Sequence, residues 1–296
     1  MPAIRQKYGF HLIAILTVIV WGTTFVSTKV LINHGLLPVE ILIYRFALAY
    51  AGILFFCPRT IFAKNRKDEL LCMAIGMCGG SLYFLFENTA LQIAPASNVA
   101  LIICITPILT TFLTRLVFKK ERIISYMIWG SFIALSGVVL VVFNGKFILK
   151  INPLGDMFTL LAALSWAFYS IVFGELSKRY STLFITRKVF FYGIVTVLPF
   201  LYFSPATFDF RLVASPVILF NLLFLGIVAS LLCYITWNKA VKELGIVQTS
   251  NYLYLNPLVT LLTSSVVIHE RITFIVLIGS ALILSGIYIT GKKLRR

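Results

Sequence analysis

Residues 76–110 read GMCGGSLYFLFENTALQIAPASNVALIICITPILT, and residues 226–260 read GIVASLLCYITWNKAVKELGIVQTSNYLYLNPLVT. An offset of 150 places matching residues opposite one another in these two stretches, and an offset of 149 continues the match further along the chain. The matched residues are Gly76 and Gly226, Asn88 and Asn238, Pro107 and Pro257, Thr110 and Thr260, Glu121-Arg122-Ile123 and Glu270-Arg271-Ile272, and Leu135-Ser136-Gly137 and Leu284-Ser285-Gly286. The sequence therefore predicts an internal repeat of about half the chain.

The composition places this repeat in a lipid bilayer. Hydrophobic residues make up 60% of the 296 residues and charged residues 12%, and the mean hydropathy is +0.97. A helix of about 20 apolar residues crosses a hydrocarbon layer of about 30 Å. Ten apolar stretches of roughly this length predict an all-α polytopic membrane protein: 9–28, 38–57, 70–90, 96–118, 124–143, 154–173, 187–203, 216–237, 246–268 and 273–291.

Each half of the chain holds five of these stretches, and an odd number reverses the orientation of the second half. The predicted fold is therefore ten transmembrane helices in two inverted five-helix repeats, residues 1–148 and 149–296, forming one compact unit. Asn-Gly and Asn-Pro pairs interrupt the apolar pattern near 144–153, where we place the boundary. Inverted repeats are typical of secondary transporters, whose substrate site lies between the repeats.

The net charge of +16 follows the predicted topology. With the N-terminus inside, nineteen of the 26 lysines and arginines fall in the inner segments and four in the outer ones. This positive-inside bias predicts cytoplasmic termini in a multi-pass protein of the cytoplasmic (inner) membrane. The basic charge thus reflects contact with the bilayer, and no nucleic-acid partner is expected.

Several chemistries lack their sequence signatures. The three histidines are scattered, and the five cysteines lie in or at the ends of apolar stretches without a C-x-x-C pair. No P-loop occurs. We therefore expect no metal, no cofactor and no enzymatic activity. Residues 10–26, which could pass for a signal peptide, are interpreted as a retained first span.

Polar residues in the fourth and ninth stretches mark a candidate substrate site. In the ninth they recur every four residues, a spacing that places them on one helix face, and such residues should face protein or water rather than lipid. Those expected to line a cavity are Gln248, Tyr252, Asn256, Asn98 and Thr106; those expected to form interhelical hydrogen bonds are Thr110, Thr114, Thr260 and Ser264.

Two prolines divide these same stretches. Pro107 and Pro257 each remove the N–H that would bond the carbonyl four residues earlier, at Ile103 and Leu253. A neighbouring helix, a water or a substrate must then satisfy the freed carbonyl. We expect paired kinks that serve gating as well as binding, with a simple packing kink as the alternative.

Aromatic residues and one acid complete the predicted site. Trp21, Trp166 and Tyr83 are expected to form its walls, and Trp237 is interpreted as an interfacial anchor. Glu87 is the acid well inside an apolar run. It is a candidate proton carrier or counter-ion to an amine, and the alternatives are a static pair with Arg45 or Lys29 and exposure at the outer surface.

Glycines recur seven residues apart in the fifth and tenth stretches. Gly130 and Gly137 in the former correspond to Gly279 and Gly286 in the latter. Residues at this spacing lie on one helix face, where glycine permits close approach of two backbones. We expect them to pack the two halves together or to form the contact of a homodimer.

Taken together, several residues resemble the EamA-type transporters of the drug/metabolite transporter superfamily. They are Trp21-Gly22, Phe25, Lys29, Arg45, Ala96-Ser97, Ala100, Pro107, Glu121-Arg122, Glu270-Arg271, Gly279 and Gly286. The resemblance implies ten helices in two inverted repeats around a cavity lined mainly by helices 1, 3, 4, 6, 8 and 9. It also implies secondary transport of small organic molecules. Gln248-Thr249-Ser250 departs from the smaller residues usual at that position.

The sequence thus predicts an exporter of a small organic metabolite or an amino acid, working by alternating access with proton coupling or by downhill efflux. Its partners would be that substrate, the lipid bilayer and protons. An organic-phosphate or nucleotide-sugar exchanger would want several basic residues at mid-membrane, and none is placed there. A non-transporting scaffold fits the apolar stretches but leaves the paired polar residues and prolines without a role.

Overall fold

The computed structural model describes residues 2–56, 61–94, 96–118, 125–143, 152–202, 206–267 and 274–291. None of these residues lies in a β-strand, and nearly all are helical. We number the helical segments α1 Pro2–Asn33, α2 Pro38–Leu54, α3 Arg66–Ile93, α4 Ala96–Ile103 with Thr106–Val117, α5 Ser125–Phe143, α6 Pro153–Leu176, α7 Thr182–Val197 with the 3-10 turns Leu198–Tyr202, α8 Pro216–Leu244, α9 Ile246–Ser250 with the 3-10 turns Asn251–Leu255 and helix Asn256–Val267, and α10 Phe274–Gly291. A short helix, Phe210–Val213, precedes α8.

Six helices within the described residues are long and apolar enough to cross a bilayer: Tyr8–Asn33, Arg66–Ile93, Val99–Val117, Pro153–Leu176, Thr182–Tyr202 and Pro216–Leu244. Ile128–Val141 and Leu277–Thr290 are shorter apolar helices. By length and composition the chain is therefore an all-helical, multi-pass membrane protein. The count of ten crossings stays a prediction.

Local sequence signals set several helix ends. Asn65, Asn152 and Ser181 are N-caps whose side chains accept hydrogen bonds from the backbone N–H groups of Asp68, Gly155 and Phe184. These bonds satisfy donors that the first helical turn leaves without a partner. At the other end of α8, Gly245 has a φ of 95°, a left-handed conformation that favours glycine, and its N–H bonds the carbonyl of Val241 at 2.9 Å.

The helices at equivalent positions of the two halves share the same irregularities. Met77–Leu82 in α3 and Phe224–Leu232 in α8 are π-helical. With the offset of 150 both segments end at the same position. Such π-helical turns are rare and occur often at functional sites.

The two predicted proline kinks are interruptions of α4 and α9. Cys104 and Ile105 form a turn just before Thr106 and Pro107, and the 3-10 turns Asn251–Leu255 precede Pro257. The Thr106 hydroxyl donates to the carbonyl of Ile103 at 2.5 Å. The Asn256 N–H bonds the carbonyl of Leu253. Both carbonyls thus have partners within their own segments, and the 3-10 turns break the single polar face predicted for α9.

Close glycine contacts join α5 and α10 of the same chain. A Cβ built on Gly137 would lie 2.5 Å from the carbonyl oxygen of Gly279, and one built on Gly286 would lie 2.5 Å from that of Gly130. The helices run antiparallel, and exchanging the two halves converts the first contact into the second. The glycines therefore pack one half against the other, which is one of the two roles expected for them.

Polar clusters at the helix ends connect α3 to α6 and α7. The carboxylate of Glu69 accepts hydrogen bonds from Lys188, from the Tyr192 hydroxyl and from the backbone N–H of Ala63 at 2.6 Å. Arg179 forms an ion pair with Asp68. Elsewhere, the buried carboxylate of Glu40 accepts from the N–H groups of Leu37, Thr207 and Phe208 at 2.9–3.1 Å. These charged groups link helices and loops near the ends of the helices, and they do not line the cavity described below.

Candidate functional site

A cavity lies where α1, α2, α3, α4, α6, α8 and α9 meet. Its free space is about 30 Å³, room for about two water molecules. The helices implied by the family resemblance all contribute to it, and α2 is added to them by Arg45. The lining residues are Trp21, Thr24, Phe25, Arg45, Tyr83, Phe84, Glu87, Ile103, Thr106, Trp166, Tyr234, Leu253 and Asn256.

Aromatic rings from both halves form most of the wall. Trp21 and Trp166 meet edge to face with ring centroids 5.3 Å apart. Tyr83 lies 5.0 Å from Trp166, and Tyr234 lies 5.8 Å from it. The Trp21 indole N–H donates to the carbonyl of Ala229 at 2.9 Å, which ties α1 to the π-helical segment of α8. The wall is thus apolar and cross-linked between the halves.

The cation of the cavity is Arg45. Its side chain is buried, with 2% of the residue exposed, and apart from Glu40 in the first turn α2 carries no other charged residue. Nε donates to the Ser230 hydroxyl at 2.5 Å, and the guanidinium lies 4.1 Å from the centre of the Phe84 ring. Among the described residues its two terminal nitrogens donate no hydrogen bond. The planar end of Arg45 is therefore available on the cavity side.

The carboxyl group of the cavity belongs to Glu87, of which 6% is exposed. Its Oε1 accepts a hydrogen bond from the Tyr83 hydroxyl at 2.9 Å. Of the described residues, neither Arg45 nor Lys29 lies within 4.0 Å to form an ion pair with it. Lys29 instead donates to the carbonyl of Leu91 at 2.5 Å. The static pairs considered from the sequence are not formed here.

Two neutral polar atoms of lining residues have no hydrogen-bond partner within the described part of the chain. The Nε1 donor of Trp166 and the Oδ1 acceptor of Asn256 are both buried without one. An unpaired buried polar group costs about 1–3 kcal/mol relative to a paired one. Each can therefore gain from a ligand group of complementary polarity.

The cavity brings together most of the residues selected from the sequence: Trp21, Tyr83, Glu87, Thr106, Trp166 and Asn256. The prolines Pro107 and Pro257 follow Thr106 and Asn256 directly, at its edge. The Asn98 side chain lies outside the described residues. The remaining two predicted residues lie elsewhere.

Tyr252 and Gln248 do not line the cavity. The Tyr252 hydroxyl lies 2.6 Å from Nδ1 of His11, on the first turns of α1, and Gln248 is half-buried at the start of α9. Because the 3-10 turns change the rotation per residue between Gln248 and Asn256, spacing by four does not keep these residues on one face. Substrate contact by either one stays a prediction that this conformation does not support.

Other sequence interpretations have clear outcomes. The Thr260 hydroxyl donates to the carbonyl of Gly22 at 2.8 Å, which is the interhelical bond expected for it. Thr110 and Thr114 are buried, but no described residue bonds their hydroxyls, so the bonds expected for them are not formed there. Trp237, interpreted as an interfacial anchor, is instead buried, with its ring centre 5.0 Å from that of Trp21. That interpretation was wrong because position along the helix does not report which neighbour covers a side chain.

Several residues of the site were not among those selected from the sequence: Thr24, Phe25, Arg45, Phe84, Ile103, Tyr234 and Leu253 of the lining, and Ser230 beside Arg45. For Arg45 the available signal was its charge, because a cation inside an apolar stretch is expensive and marks a functional site. Ser230 and Tyr234 lie on α8, opposite Gly80 and Phe84 in the repeat alignment. Their polar groups differ from the residues they align with, and that difference was the available signal. No group of three or more metal-ligating side chains occurs within the described residues.

Comparisons with known proteins agree with this architecture. The EamA-like transporter family matches the chain twice, at residues 10–143 and 153–292. A "Probable amino-acid metabolite efflux pump" of Salmonella typhimurium is 29% identical over 98% of this chain and 97% of its own. A "Probable terminal-alkyne amino-acid exporter" of Streptantibioticus cattleyicolor is 26% identical over 94% and 92%.

Two further matches agree with transport by name or with the fold by superposition. An uncharacterized transporter of Archaeoglobus fulgidus is 26% identical over 96% of this chain and 97% of its own. A solved crystal structure superimposes with a TM-score of 0.74 at 18% identity, over 95% of this chain and 97% of that one, which supports the fold. The names of the family and of these relatives point to transport rather than catalysis. The chain belongs to the EamA-like transporter family.

Proposed function

We propose that the protein is a secondary transporter that exports an amino acid or another small organic metabolite across the cytoplasmic membrane by alternating access. The observation that carries the proposal is the buried cavity between the halves, which holds a cation and a carboxyl group without a direct ion pair. The relatives named as amino-acid exporters support this class of substrate.

The proposed architecture is ten crossings in two inverted repeats, residues 1–148 and 149–296, with both termini in the cytoplasm. The double family match and the reciprocal glycine contacts of α5 and α10 support the repeat. Cysteines placed at Lys64 and Arg295 in a cysteine-free background should resist an impermeant thiol reagent in intact cells, while one at Asp209 should react. The reverse labelling pattern would overturn the proposed orientation.

Alternating access requires the cavity walls to separate. The free space has room for only about two waters, so an organic substrate cannot enter this conformation unchanged. The π-helical segments of α3 and α8 and the breaks in α4 and α9 border the cavity in both halves. Mid-helix 3-10 and π-helical turns often mark hinges or functional sites, and discontinuous helices form the substrate sites of many secondary transporters.

Proton coupling through Glu87 is part of the proposal. A carboxyl group in a water-poor cavity can bind a proton or a positively charged substrate group, but not both at once. One acid among the lining residues is enough for such an exchange. The lining holds a single cation, Arg45, and this argues against an organic-phosphate or nucleotide-sugar exchanger, whose substrates carry more than one negative charge.

Transport into proteoliposomes tests the proposed function. Purified protein should exchange labelled substrate with internal unlabelled substrate for at least one compound in a panel of amino acids and small metabolites. An imposed pH gradient should drive net accumulation of that compound. Absence of exchange for the whole panel, with folded protein in the vesicles, would contradict transport of these substrates. Exchange without accumulation in response to the pH gradient would contradict proton coupling but not transport.

A further inference from the structure

Each of the two charged groups of the cavity makes one side-chain hydrogen bond among the described residues. Nε of Arg45 donates to the Ser230 hydroxyl, and Oε1 of Glu87 accepts from the Tyr83 hydroxyl. Within the described residues, the terminal guanidinium nitrogens of Arg45 and the Oε2 atom of Glu87 carry no further hydrogen bond. Their supports are neutral, so neither charge is neutralised by its own partner.

Opposite charges in a water-poor site usually meet directly, because each is expensive to bury alone. Arg45 and Glu87 line one cavity and are not within ion-pair distance of one another. A guanidinium presents two parallel N–H donors, which match the two oxygens of a carboxylate. A carboxylate in turn matches an ammonium group, so a molecule with both groups would complete both partners.

We infer that the cavity recognises its substrate as a zwitterion, an α-amino acid whose carboxylate binds Arg45, whose ammonium group binds Glu87 and whose apolar side chain lies among the aromatic rings. This inference rests on the proposed function and specifies the substrate for it. Trp21, Phe25 and Trp166 supply the apolar surface. Asn256 lines the same cavity, and its unpaired Oδ1 is a second acceptor there.

The geometry disfavours substrates with a single charge. An amine ligand without a carboxylate would leave the Arg45 guanidinium buried and unpaired. A carboxylic acid without an amine would leave the Glu87 carboxylate buried and unpaired. A site built for a hydrogen-bonding group strongly rejects an analogue that lacks it, since the polar groups of the site then lose their partners. The zwitterion should therefore bind more tightly than either of its singly charged derivatives.

The first test needs no substitution. Binding to the purified full-length protein is measured for the apolar amino acids from alanine to tryptophan, each beside its amide and its N-acetyl derivative. For the preferred side chain we expect the zwitterion to bind about tenfold tighter or more than both derivatives. If the amide or the N-acetyl derivative of the preferred amino acid binds as tightly as that amino acid itself, the inference is overturned.

Two substitutions assign the groups. Glu87→Gln should lower the affinity for the amino acid to about that for its N-acetyl derivative, and should leave the affinity for that derivative nearly unchanged. Arg45→Gln should lower the affinity for the amino acid to about that for its amide, and should leave the affinity for the amide nearly unchanged. A purely structural role would shift all three ligands together, and that result would overturn the assignment. Glu40→Gln and Arg187→Gln change buried charged residues outside the cavity and serve as matched controls.

Milder variants cover the case in which Glu87→Gln or Arg45→Gln fails to fold. Ser230→Ala and Tyr83→Phe remove one hydrogen bond from Arg45 or Glu87 and keep both charges. Ser230→Ala should reduce the preference for the amino acid over its amide by a few-fold. Tyr83→Phe should likewise reduce the preference for the amino acid over its N-acetyl derivative. Exchange in proteoliposomes separates the two proposals. Exchange of metabolites without a preference for zwitterions would leave the transporter function intact and refute the recognition, whereas absence of all exchange would refute transport.

Discussion

The two repeats contribute equivalent residues to the cavity but different chemistry. Under the repeat alignment Ile103 corresponds to Leu253, Thr106 to Asn256, and Phe84 to Tyr234, and all six residues line the cavity. The internal symmetry thus passes through the site. The charges do not follow it, because Glu87 aligns with Trp237 and Tyr83 with Cys233.

This difference separates the elements that we propose to move from the groups that we propose to bind substrate. The glycine contacts, π-helical segments and helix breaks occur in both repeats, as a gate with two related conformations requires. The charged groups, Arg45 on α2 and Glu87 on α3, come from the first repeat alone. A substrate with two ends can then bind in one orientation within an otherwise nearly symmetric cavity.

The largest effect should come from the element that the repeats share most fully. Gly137→Ala and Gly286→Ala each place a Cβ 2.5 Å from a backbone carbonyl oxygen, so the helices must move apart. We expect each to lower stability by about 1–3 kcal/mol, and by similar amounts because the contacts are reciprocal. Thermal unfolding in detergent measures the change.

Gly9→Ala is the control for these two variants. A Cβ at Gly9 meets nothing within 4 Å, and alanine is a better helix former than glycine by about 1 kcal/mol. It should leave the unfolding temperature unchanged or raise it. A fall as large as that of Gly137→Ala would show that the loss arises from any added methyl group and not from the α5–α10 contact.

The next effect should distinguish Glu87 from the residue it aligns with. Glu87→Gln keeps the shape and the hydrogen bond to Tyr83 but removes the titrating group, so accumulation driven by a pH gradient should be lost at saturating substrate. Trp237→Phe alters the aligned position in the second repeat and should retain gradient-driven accumulation. Both are measured in proteoliposomes at equal protein content. Gradient-driven flux that survives Glu87→Gln would rule out its proton role.

A smaller effect should separate Asn256 from Thr106. The Thr106 hydroxyl is already bonded to the carbonyl of Ile103, whereas Oδ1 of Asn256 has no partner. Asn256→Ala should therefore raise the KM for transport several-fold, and Thr106→Val should change it little. Gln248→Ala and Thr263→Ala, outside the cavity, should resemble the parent. If Gln248→Ala raises the KM as much as Asn256→Ala does, the start of α9 is part of the substrate site.

Much of this arrangement could be predicted from the sequence, because it follows from local signals. Apolar length predicted the helices, the repeat predicted Pro107 and Pro257 as paired interruptions, and the family resemblance implied most of the cavity-lining helices. Features that depend on neighbours could not be predicted. The 3-10 turns redirect Tyr252 toward His11, and the burial of Trp237 depends on its packing against Trp21. The role of Arg45 depends on Ser230, which is distant in the chain.

The smallest expected effect concerns Trp21 and Trp166, which correspond in the two halves at an offset of 145 and whose indole N–H groups differ in their hydrogen bonding. Trp21 donates to the carbonyl of Ala229. That residue aligns with Gly79, whose carbonyl is taken instead by the Tyr234 hydroxyl at 2.5 Å. Nε1 of Trp166 is buried without a partner among the described residues. The indole N–H is thus satisfied for the tryptophan of the first half and unsatisfied for that of the second.

Replacement of each tryptophan by phenylalanine removes the same ring volume and the same N–H group. Trp21→Phe should also lose a hydrogen bond worth about 0.5–1.5 kcal/mol, and Trp166→Phe should not. The unfolding temperature of Trp21→Phe should then fall below that of Trp166→Phe by about 2–4 °C. With substrate present the gap should narrow if the Trp166 donor binds a substrate group, since Trp166→Phe then loses that bond. Equal unfolding temperatures without substrate would mean that the two N–H groups are equally satisfied in solution, and the asymmetry between the repeats would be confined to the charges.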